Sequence, residues 1–325
     1  MIKRKLTSAI DVAPLAFGGN VFGWTIDEAT SFKLLDAFVD AGFNLIDTAD
    51  VYSHWKPGNK GGESETIIGK WLRLRSNRDK VVIATKVGGA VAGGKKSLTR
   101  EHILEAVDAS LQRLQTDYID LYQSHWDDLD TPVAETIETF AELVKEGKVR
   151  AIGASNLSPE RLSESIQYSE AHNLPRYETL QPEYNLYNRQ KFEQEYEPLC
   201  LEKGLGVINY YALASGFLSG KYRSAEDVDK SARGGAVVKT YLNDRGLRIL
   251  NALDEVSKDY NTTPASIAIA WLIARPSITA PIASATSIEQ LNDLIEAAQL
   301  QLDQTSINLL NKASDWTGVT IGKEG

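Results

Sequence analysis

Five consecutive segments decide the fold: VVIATK (81–86), TREHILEAVDASLQRL (99–114), YIDLYQSH (118–125), TPVAETIETFAELVKE (131–146) and VRAIGA (149–154). The first, third and fifth are short and mostly apolar, which is typical of strands buried on both faces. The second and fourth begin with threonine and repeat apolar residues at helical spacing. The stretch therefore predicts parallel strands that are connected by helices.

The same alternation continues toward both ends of the chain. Further strands are predicted at 12–17, 43–48, 178–183, 206–211 and 278–283, and further helices at 28–40, 62–74, 158–172, 189–203, 242–260, 264–274 and 287–298. Eight such units, with no linker or charge block between them, predict an α/β fold: a (β/α)8 TIM barrel forming one domain over residues 1–325.

An open doubly wound sheet is the alternative fold, but it requires a Gly-rich phosphate turn after the first strand. The segment GGNVFG (18–23) lacks the dinucleotide-binding spacing, so the barrel is favoured. The connections 51–62 and 213–240 are unusually long. We expect both of these loops at the carboxyl end of the barrel, where long ordered loops tend to be functional.

The composition excludes several kinds of partner. The 325 residues carry 44 acidic and 35 basic side chains and a net charge of −9, whereas nucleic acids and anionic membranes require a basic face. A single cysteine, Cys200, and four scattered histidines leave no disulfide and no predicted metal site. No signal-peptide core follows the basic first residues, and no apolar run approaches about 18 residues. We therefore expect a cytoplasmic protein, by default a monomer, with small-molecule partners.

Polar residues end three neighbouring predicted strands. Asp47 ends one strand and is followed by Tyr52, Lys86 ends the next strand, and His125 ends the one after. Each of these residues, taken alone, is readily explained as a cap or a packing residue. Together they form a set suited to proton transfer at a carbonyl oxygen. An ammonium favours the ionised form of a tyrosine whose ordinary pKa is about 10, a carboxylate keeps a buried lysine charged, and a neutral histidine orients a carbonyl.

Seven segments, in order and at this spacing, resemble the aldo-keto reductase superfamily over essentially the whole chain. They are GFNLIDTA (42–49) with Tyr52, GESETIIG (62–69), ATKV (84–87), LYQSHW (121–126), IGASNL (152–157), QPEYN (181–185) and YYALASGFLSGKY (210–222). The resemblance implies a barrel that binds NADPH without a Rossmann fold and transfers a hydride from it to an aldehyde or ketone.

The resemblance also implies a role for each matching residue. Tyr52 is the implied general acid, Lys86 lowers its pKa, Asp47 pairs with Lys86, and His125 orients the carbonyl group. The implied cofactor contacts are Asp47 beside the nicotinamide, Ser155, Asn156 and Gln181 at the carboxamide, Tyr210 on the ring, Leu213, Ser215, Gly216, Leu218 and Lys221 at the pyrophosphate, and Ser284, Thr286, Ser287 and Gln290 at the 2′-phosphate. Basic residues beyond Lys221 are either lid contacts or solvated.

The sequence departs from the family pattern at three places. Gln290 stands where many members have Arg, Leu294 stands where many have Asn, and residues 54–60 lengthen the loop after the second strand. NADPH remains the expected cofactor, with NADH possible. The substrate pocket is expected to be lined by Trp24, Tyr52, Trp55, His125 and Trp126.

Three functions are compatible with these residues. The leading hypothesis is NADPH-dependent reduction of aldehydes and ketones to alcohols. The second is a cofactor-bound regulatory or interaction subunit, like the potassium-channel β-subunits of the same superfamily, which keep the same residues. The third is a Schiff-base aldolase that uses Lys86, although that chemistry does not require the other three residues.

Overall fold

An antiparallel hairpin precedes eight parallel strands in the computed structural model, which describes residues 2–90, 94–231 and 233–317. The hairpin strands are β1 (Arg4–Lys5) and β2 (Asp11–Val12). The parallel strands are β3 (Ala16–Gly18), β4 (Leu45–Asp47), β5 (Val82–Val87), β6 (Ile119–Ser124), β7 (Val149–Ser155), β8 (Tyr177–Gln181), β9 (Gly206–Val207) and β10 (Ile282–Ala283).

Backbone hydrogen bonds close these strands into a barrel. The strands are ordered β10-β3-β4-β5-β6-β7-β8-β9. Across the remaining gap, Thr279 N donates to Val207 O at 2.9 Å and Ile282 N donates to Asn209 O at 2.9 Å. These hydrogen bonds join the two end strands of the parallel sheet, and the predicted (β/α)8 barrel is confirmed.

Helices surround this wall. They are α1 (Glu28–Asp40), α2 (Glu63–Arg75), α3 (Arg100–Leu114), α4 (Val133–Lys145), α5 (Pro159–Ala171), α6 (Glu197–Lys203), α7 (Gly234–Tyr241), α8 (Asp244–Asp259), α9 (Pro264–Ile273), α10 (Ile288–Ala297) and α11 (Gln304–Ala313). Asp27, Thr99 and Ser158 accept hydrogen bonds from amides in the first turns of α1, α3 and α5, and such caps define where a helix begins.

Several elements differ from their predictions, among them the last two strands, of which only Gly206–Val207 of 206–211 and Ile282–Ala283 of 278–283 are observed. The strand predicted at 12–17 is interrupted at Pro14, so that its residues divide between β2 and β3. The helix predicted at 189–203 is observed over 190–203, with a π-helical turn at Phe192–Tyr196 before α6. The predicted loop 213–240 contains most of α7 together with shorter helical turns, and α11 lies in a segment for which no helix was predicted.

Two apolar clusters position the site at the carboxyl end of the barrel. The inner cluster joins strand residues such as Leu45, Ala84 and Leu121 to Leu6 and Val12 of the hairpin. Because the hairpin fills the amino end, the carboxyl end is left for the functional loops. The outer cluster fills the space between strands and helices and extends from Ala13 to Ala313.

Two further features concern the helices. Cys200 is buried on α6, within the segment 189–203 that was predicted to be helical. In residues 2–90, 94–231 and 233–317, no helix has the length and apolar character needed to cross a membrane.

Candidate active site

Lys86 is the centre of the site. It lies at the carboxyl end of β5 and is fully buried. Its Nζ atom donates to Asp47 Oδ2 at 2.8 Å, to Thr48 O at 2.7 Å and to Tyr52 Oη at 3.3 Å. Three partners match the three protons of an ammonium group. The structure thus brings Asp47, Tyr52 and Lys86 into one hydrogen-bonded chain, as the sequence predicted.

The turn after β4 delivers Tyr52 to this chain. Tyr52 N donates to Ala49 O at 3.1 Å, and Ser64 N at the start of α2 donates to Tyr52 O at 3.2 Å. The Ser64 hydroxyl also donates to Gly19 O at 2.8 Å. The turn is therefore fastened both to α2 and to the loop after β3.

Burial dominates the ionisation of this chain. It raises the pKa of Asp47, against the charge of Lys86. Burial acts to lower the pKa of Lys86, but Asp47 and Tyr52 together raise it, so we assign Lys86 as charged. Burial also raises the pKa of Tyr52 above its ordinary value, and Lys86 opposes this only in part. The resemblance implied a lowered pKa for Tyr52; in the structure Lys86 acts in that direction but burial is stronger, and Tyr52 is a neutral phenol at neutral pH.

His125 faces Tyr52 from the next strand. The two ring centroids are 5.8 Å apart. Burial, followed by the charges of Lys86, Lys96 and His54, lowers the pKa of His125 well below its ordinary value. The imidazole is therefore neutral at neutral pH and carries one N–H. Its Nδ1 atom is buried and has no hydrogen-bond partner among the described residues.

A connected group of side chains lies beside the chain of Asp47, Lys86 and Tyr52. Gln181 Nε2 donates to Asp47 Oδ1 at 2.8 Å, and Ser155 Oγ donates to Gln181 O at 2.8 Å. Asn156 Nδ2 donates to His125 O at 2.9 Å and to Ser155 Oγ at 3.0 Å. Tyr210 Oη donates to Asn156 Oδ1 at 2.9 Å. All four residues predicted at the nicotinamide are thus brought together beside the catalytic candidates.

The segment after Tyr210 can accommodate a pyrophosphate. Ala214, Ser215 and Gly216 have φ angles of +47°, +56° and +90°. The amides of Ala214 and Gly216 donate to Tyr211 O and Leu213 O at 2.7 and 2.8 Å, so the amide of Ser215 is the one of the three that this left-handed turn can direct toward an anion. A Cβ atom at Gly216 would lie 3.4 Å from Lys221 Nζ, which places that ammonium beside the turn. Leu213 begins the segment and Leu218 is buried within it. Beyond it, Arg223 pairs with Asp254 at 2.7 Å and Lys230 pairs with Asp227 at 2.7 Å, so these two cations are engaged within the fold.

The residues predicted at the 2′-phosphate surround the start of α10. Ser287 accepts from Gln290 N at 3.3 Å as the helix cap, and Gln290 Oε1 accepts from Thr286 N at 2.9 Å. Ser284 Oγ donates to Gly18 O or Asn20 Oδ1, each at 2.7 Å. These polar groups therefore bond to one another here. Leu294 is buried and packs into the core, away from solvent.

Five rings form a continuous row across the site, here called the aromatic row: Trp24, Trp55, Tyr52, His125 and Trp126. Successive ring centroids are 5.5, 5.3, 5.8 and 6.1 Å apart. Trp55 and Trp126 are 38% and 37% exposed, so the row leads from the buried chemistry to the surface. The structure brings together all three tryptophans predicted at the pocket.

Sequence reasoning missed three groups of residues at this site. Gln123 Oε1 lies 3.5 Å from Gln181 Nε2 and only its place inside β6 could have indicated it. Asp50 has a buried Oδ1 without a partner among the described residues, and burial and Glu65 raise its pKa to about 8. Lys96 and Arg233 stack on rings at the two ends of the aromatic row. Arg233 is one of the basic residues beyond Lys221 noted in the sequence, but nothing there placed it or Lys96 on the aromatic row, because loop packing determines where they lie.

The fold and the site define a class of protein: a (β/α)8 barrel with a buried carboxylate, lysine and histidine beside a half-buried tyrosine at its carboxyl end. The Aldo/keto reductase family model matches residues 14–315. The chain belongs to this family of oxidoreductases, and the resemblance inferred from the seven segments is confirmed.

Curated relatives match nearly the full chain. One is "Uncharacterized oxidoreductase YrpG" of Bacillus subtilis (strain 168), 33% identical over 94% of this chain and 93% of that protein. "Aldo-keto reductase YhdN" of the same organism is 34% identical over 96% of this chain and 92% of that protein. A "Probable voltage-gated potassium channel subunit beta" of Oryza sativa subsp. japonica is 33% identical over 89% of this chain and 88% of that protein.

Proposed function

We propose that this protein reduces aldehydes and ketones to alcohols with NADPH, and that Tyr52 donates the proton. The observation that carries the proposal is the buried chain in which Lys86 Nζ contacts both Asp47 Oδ2 and Tyr52 Oη. A lysine that is only structural does not need a phenol at this position. Here the phenol faces a neutral imidazole beside an aromatic surface.

Each residue of the chain has a distinct task in the proposed reaction. Tyr52, kept protonated by burial, donates its proton to the carbonyl oxygen as negative charge develops there. The charge of Lys86 stabilises the phenolate that remains, because the ion pair with Asp47 keeps the ammonium protonated in a buried place. His125, neutral at neutral pH, donates its N–H to the same oxygen and orients the carbonyl group.

A nicotinamide cofactor, when bound, supplies the hydride. Ser155, Asn156, Gln181 and Tyr210 are proposed to hold its carboxamide and ring, and the left-handed turn with Lys221 its pyrophosphate. Thr286, Ser287 and Gln290 at the start of α10 are proposed to receive the 2′-phosphate, which favours NADPH over NADH. The amides of Thr286 and Gln290, which donate to side-chain oxygens of this group, would then donate to the phosphate instead.

The test is turnover of 4-nitrobenzaldehyde with NADPH by the wild type and by Tyr52→Phe. The variant removes the acidic proton and retains the ring that contacts Trp55 and His125. We expect loss of reduction with nearly unchanged NADPH affinity, measured by quenching of protein fluorescence. A Tyr52→Phe enzyme that reduces the aldehyde as fast as wild type refutes the role of Tyr52, and absence of turnover by wild type refutes the proposed reaction.

The similarity to a probable potassium channel subunit supports a second candidate function, that of a cofactor-bound regulatory subunit. This function predicts NADPH binding with turnover no faster in the wild type than in Tyr52→Phe. The same experiment therefore separates the two functions.

We further infer that residues 1–325 form one domain. The single outer hydrophobic cluster, which contains residues from Ala13 to Ala313, supports this inference. Limited proteolysis tests it: a stable fragment shorter than the barrel, cut between two strands, contradicts it.

A further inference from the structure

A cation lies on the ring at each end of the aromatic row. Lys96 Nζ is 3.9 Å from the centroid of the Trp126 ring, and the guanidinium carbon of Arg233 is 4.6 Å from that of Trp24. In the described part of the chain, neither side chain forms an ion pair, and neither donates a hydrogen bond from its cationic group. A cation on an aromatic face keeps its outer side open to solvent or ligand.

Three acidic side chains near the row already have ion-pair or hydrogen-bond partners. Asp127 next to Trp126 pairs with Arg161 at 3.2 Å. Glu63 accepts from the amides of Lys60 and Gly61 at 2.7 and 3.0 Å. Asp128 accepts from Leu98 N at 3.0 Å and from the Thr131 hydroxyl at 2.6 Å. Among the described residues, neither Lys96 nor Arg233 therefore has an acidic partner, although the chain as a whole carries a net charge of −9.

The two lysines of the lengthened loop do not supply this charge. Lys56 Nζ donates to Gly23 O at 3.1 Å and ties its loop to the loop after β3. Lys60 is exposed, and its backbone amide is held by Glu63. Lys96 has the more direct relation to the chemistry, because Trp126 beneath it stacks on His125 at 6.1 Å between centroids. One ring thus separates Lys96 from the residue proposed to orient the carbonyl group.

We propose that the pocket selects carbonyl substrates that carry an anionic group about one aromatic ring away from the carbonyl, and that Lys96 binds that group. The proposal rests on the carbonyl reduction proposed above. The planar part of such a substrate lies along the aromatic row, its carbonyl oxygen reaches Tyr52 and His125, and its anion meets the ammonium above Trp126. Lys96 is then a residue that determines specificity.

The test compares two aldehydes of nearly equal shape, 4-carboxybenzaldehyde and its methyl ester. The ratio of their kcat/KM values is measured for wild type, Lys96→Ala, Lys96→Glu and the matched control Lys95→Glu. Comparing one ratio across variants cancels the different intrinsic reactivities of the two aldehydes. We expect the ratio to fall about threefold in Lys96→Ala, which is the effect of losing a partly exposed ion pair. It should fall about tenfold in Lys96→Glu, where repulsion replaces that attraction. Because the charge of Lys96 also acts on the pKa of His125, each variant's own ester rate is its reference, and the wild-type ester rate is expected only of Lys95→Glu.

Two further measurements constrain the cause. The wild-type ratio should decline as salt is added, because exposed charges are screened, and the ratio in Lys96→Ala should change less. The cationic 4-formyl-N,N,N-trimethylanilinium should be a better substrate for Lys96→Glu than for wild type. An increase in the KM for NADPH in Lys96→Glu, equal to the effect on the carboxylate, would instead assign Lys96 to the cofactor and overturn the proposal.

The outcomes separate this proposal from the function on which it rests. Reduction of the ester by wild type with an unchanged ratio in Lys96→Glu overturns the role of Lys96 and leaves carbonyl reduction standing. Equal shifts in Lys95→Glu and Lys96→Glu show a general effect of surface charge and overturn it too. Reduction of neither aldehyde by wild type overturns the proposed function itself.

Discussion

Replacing Lys86 by methionine tests whether Asp47 is ionised in the folded protein. The Lys86 side chain is 0% exposed and that of Asp47 is 4% exposed, so neither charge gains compensation from water. Methionine fills a similar volume but removes the ammonium from Asp47 Oδ2, which is 2.8 Å away. Asp47 then keeps its bond from Gln181 Nε2 at 2.8 Å. Breaking one partner of a buried pair typically lowers the free energy of unfolding by about 3–5 kcal/mol.

Proton linkage gives an independent value for the loss of free energy of unfolding in Lys86→Met, together with its pH dependence. In Lys86→Met, the folded-state pKa of Asp47 is raised further while its unfolded value stays near 3.9, so the carboxyl is protonated on folding. A carboxyl whose pKa is raised in the folded state contributes its full stabilisation below the unfolded-state pKa. This contribution is lost as the pH rises toward the folded-state pKa. Proton uptake therefore lowers the free energy of unfolding by about 1.4 kcal/mol per pH unit above 3.9, or about 4 kcal/mol near pH 7.

Urea unfolding followed by tryptophan fluorescence measures this effect at several values between about pH 5 and pH 8. We expect the deficit of Lys86→Met relative to wild type to grow with pH. The double variant Asp47→Asn/Lys86→Met should be less destabilised than the sum of the two single variants by about 2–3 kcal/mol, because no unpaired charge remains. A deficit that is independent of pH, or additive single variants, would refute an ionised buried pair.

Three other predictions use independent parts of the structure. Gln290→Arg should tighten NADPH more than NADH in fluorescence titrations, and equal tightening contradicts its place at the 2′-phosphate. Gly69→Ala should lower the free energy of unfolding by about 1–3 kcal/mol, because the added Cβ atom would clash with the backbone of Arg113. In the control Gly235→Ala, the added Cβ atom has no neighbour within 4 Å. This control should raise the free energy of unfolding by up to about 1 kcal/mol. Asp50→Asn should become more stable relative to wild type as pH rises from about 4 to 8, since the pKa of Asp50 is raised to about 8; a constant difference in urea midpoint contradicts this.

Most of the barrel could be predicted from the sequence because its elements are periodic. The bounds predicted for α1 are those observed, and β5 differs from its prediction by one residue at each end. Where periodicity is absent, the elements were not predicted: the hairpin strands have two residues each, and α7 begins with two glycines inside a segment predicted as a long loop. Such elements form because neighbours cover them, which a local pattern does not record.

The candidate site divides in the same way. Asp47, Lys86 and His125 were found because polar residues end apolar strands, and parallel strands place those ends together. The direction of the Tyr52 pKa could not be predicted, since it depends on how completely α2 and the aromatic row exclude water. The positions of Lys96 and Arg233 depend likewise on loop packing, so the charge around the row became visible only in three dimensions.

The burial of Tyr52 explains why the site needs four residues and not two. If a lysine lowered the pKa of the tyrosine far enough, the tyrosine would already be ionised before the carbonyl substrate binds and could not donate a proton. Burial keeps the phenol protonated, and Lys86 acts only when the proton leaves and negative charge appears on Oη, 3.3 Å from Nζ. A buried ammonium stays protonated in that position only if a carboxylate lies beside it, and Asp47 is that carboxylate. His125 must then be neutral, because a second positive charge beside Lys86 would compete for Asp47 and lower the pKa of Lys86. The low pKa of His125 and the raised pKa of Lys86 are therefore two consequences of one arrangement, in which a single positive charge is kept next to a protonated acid.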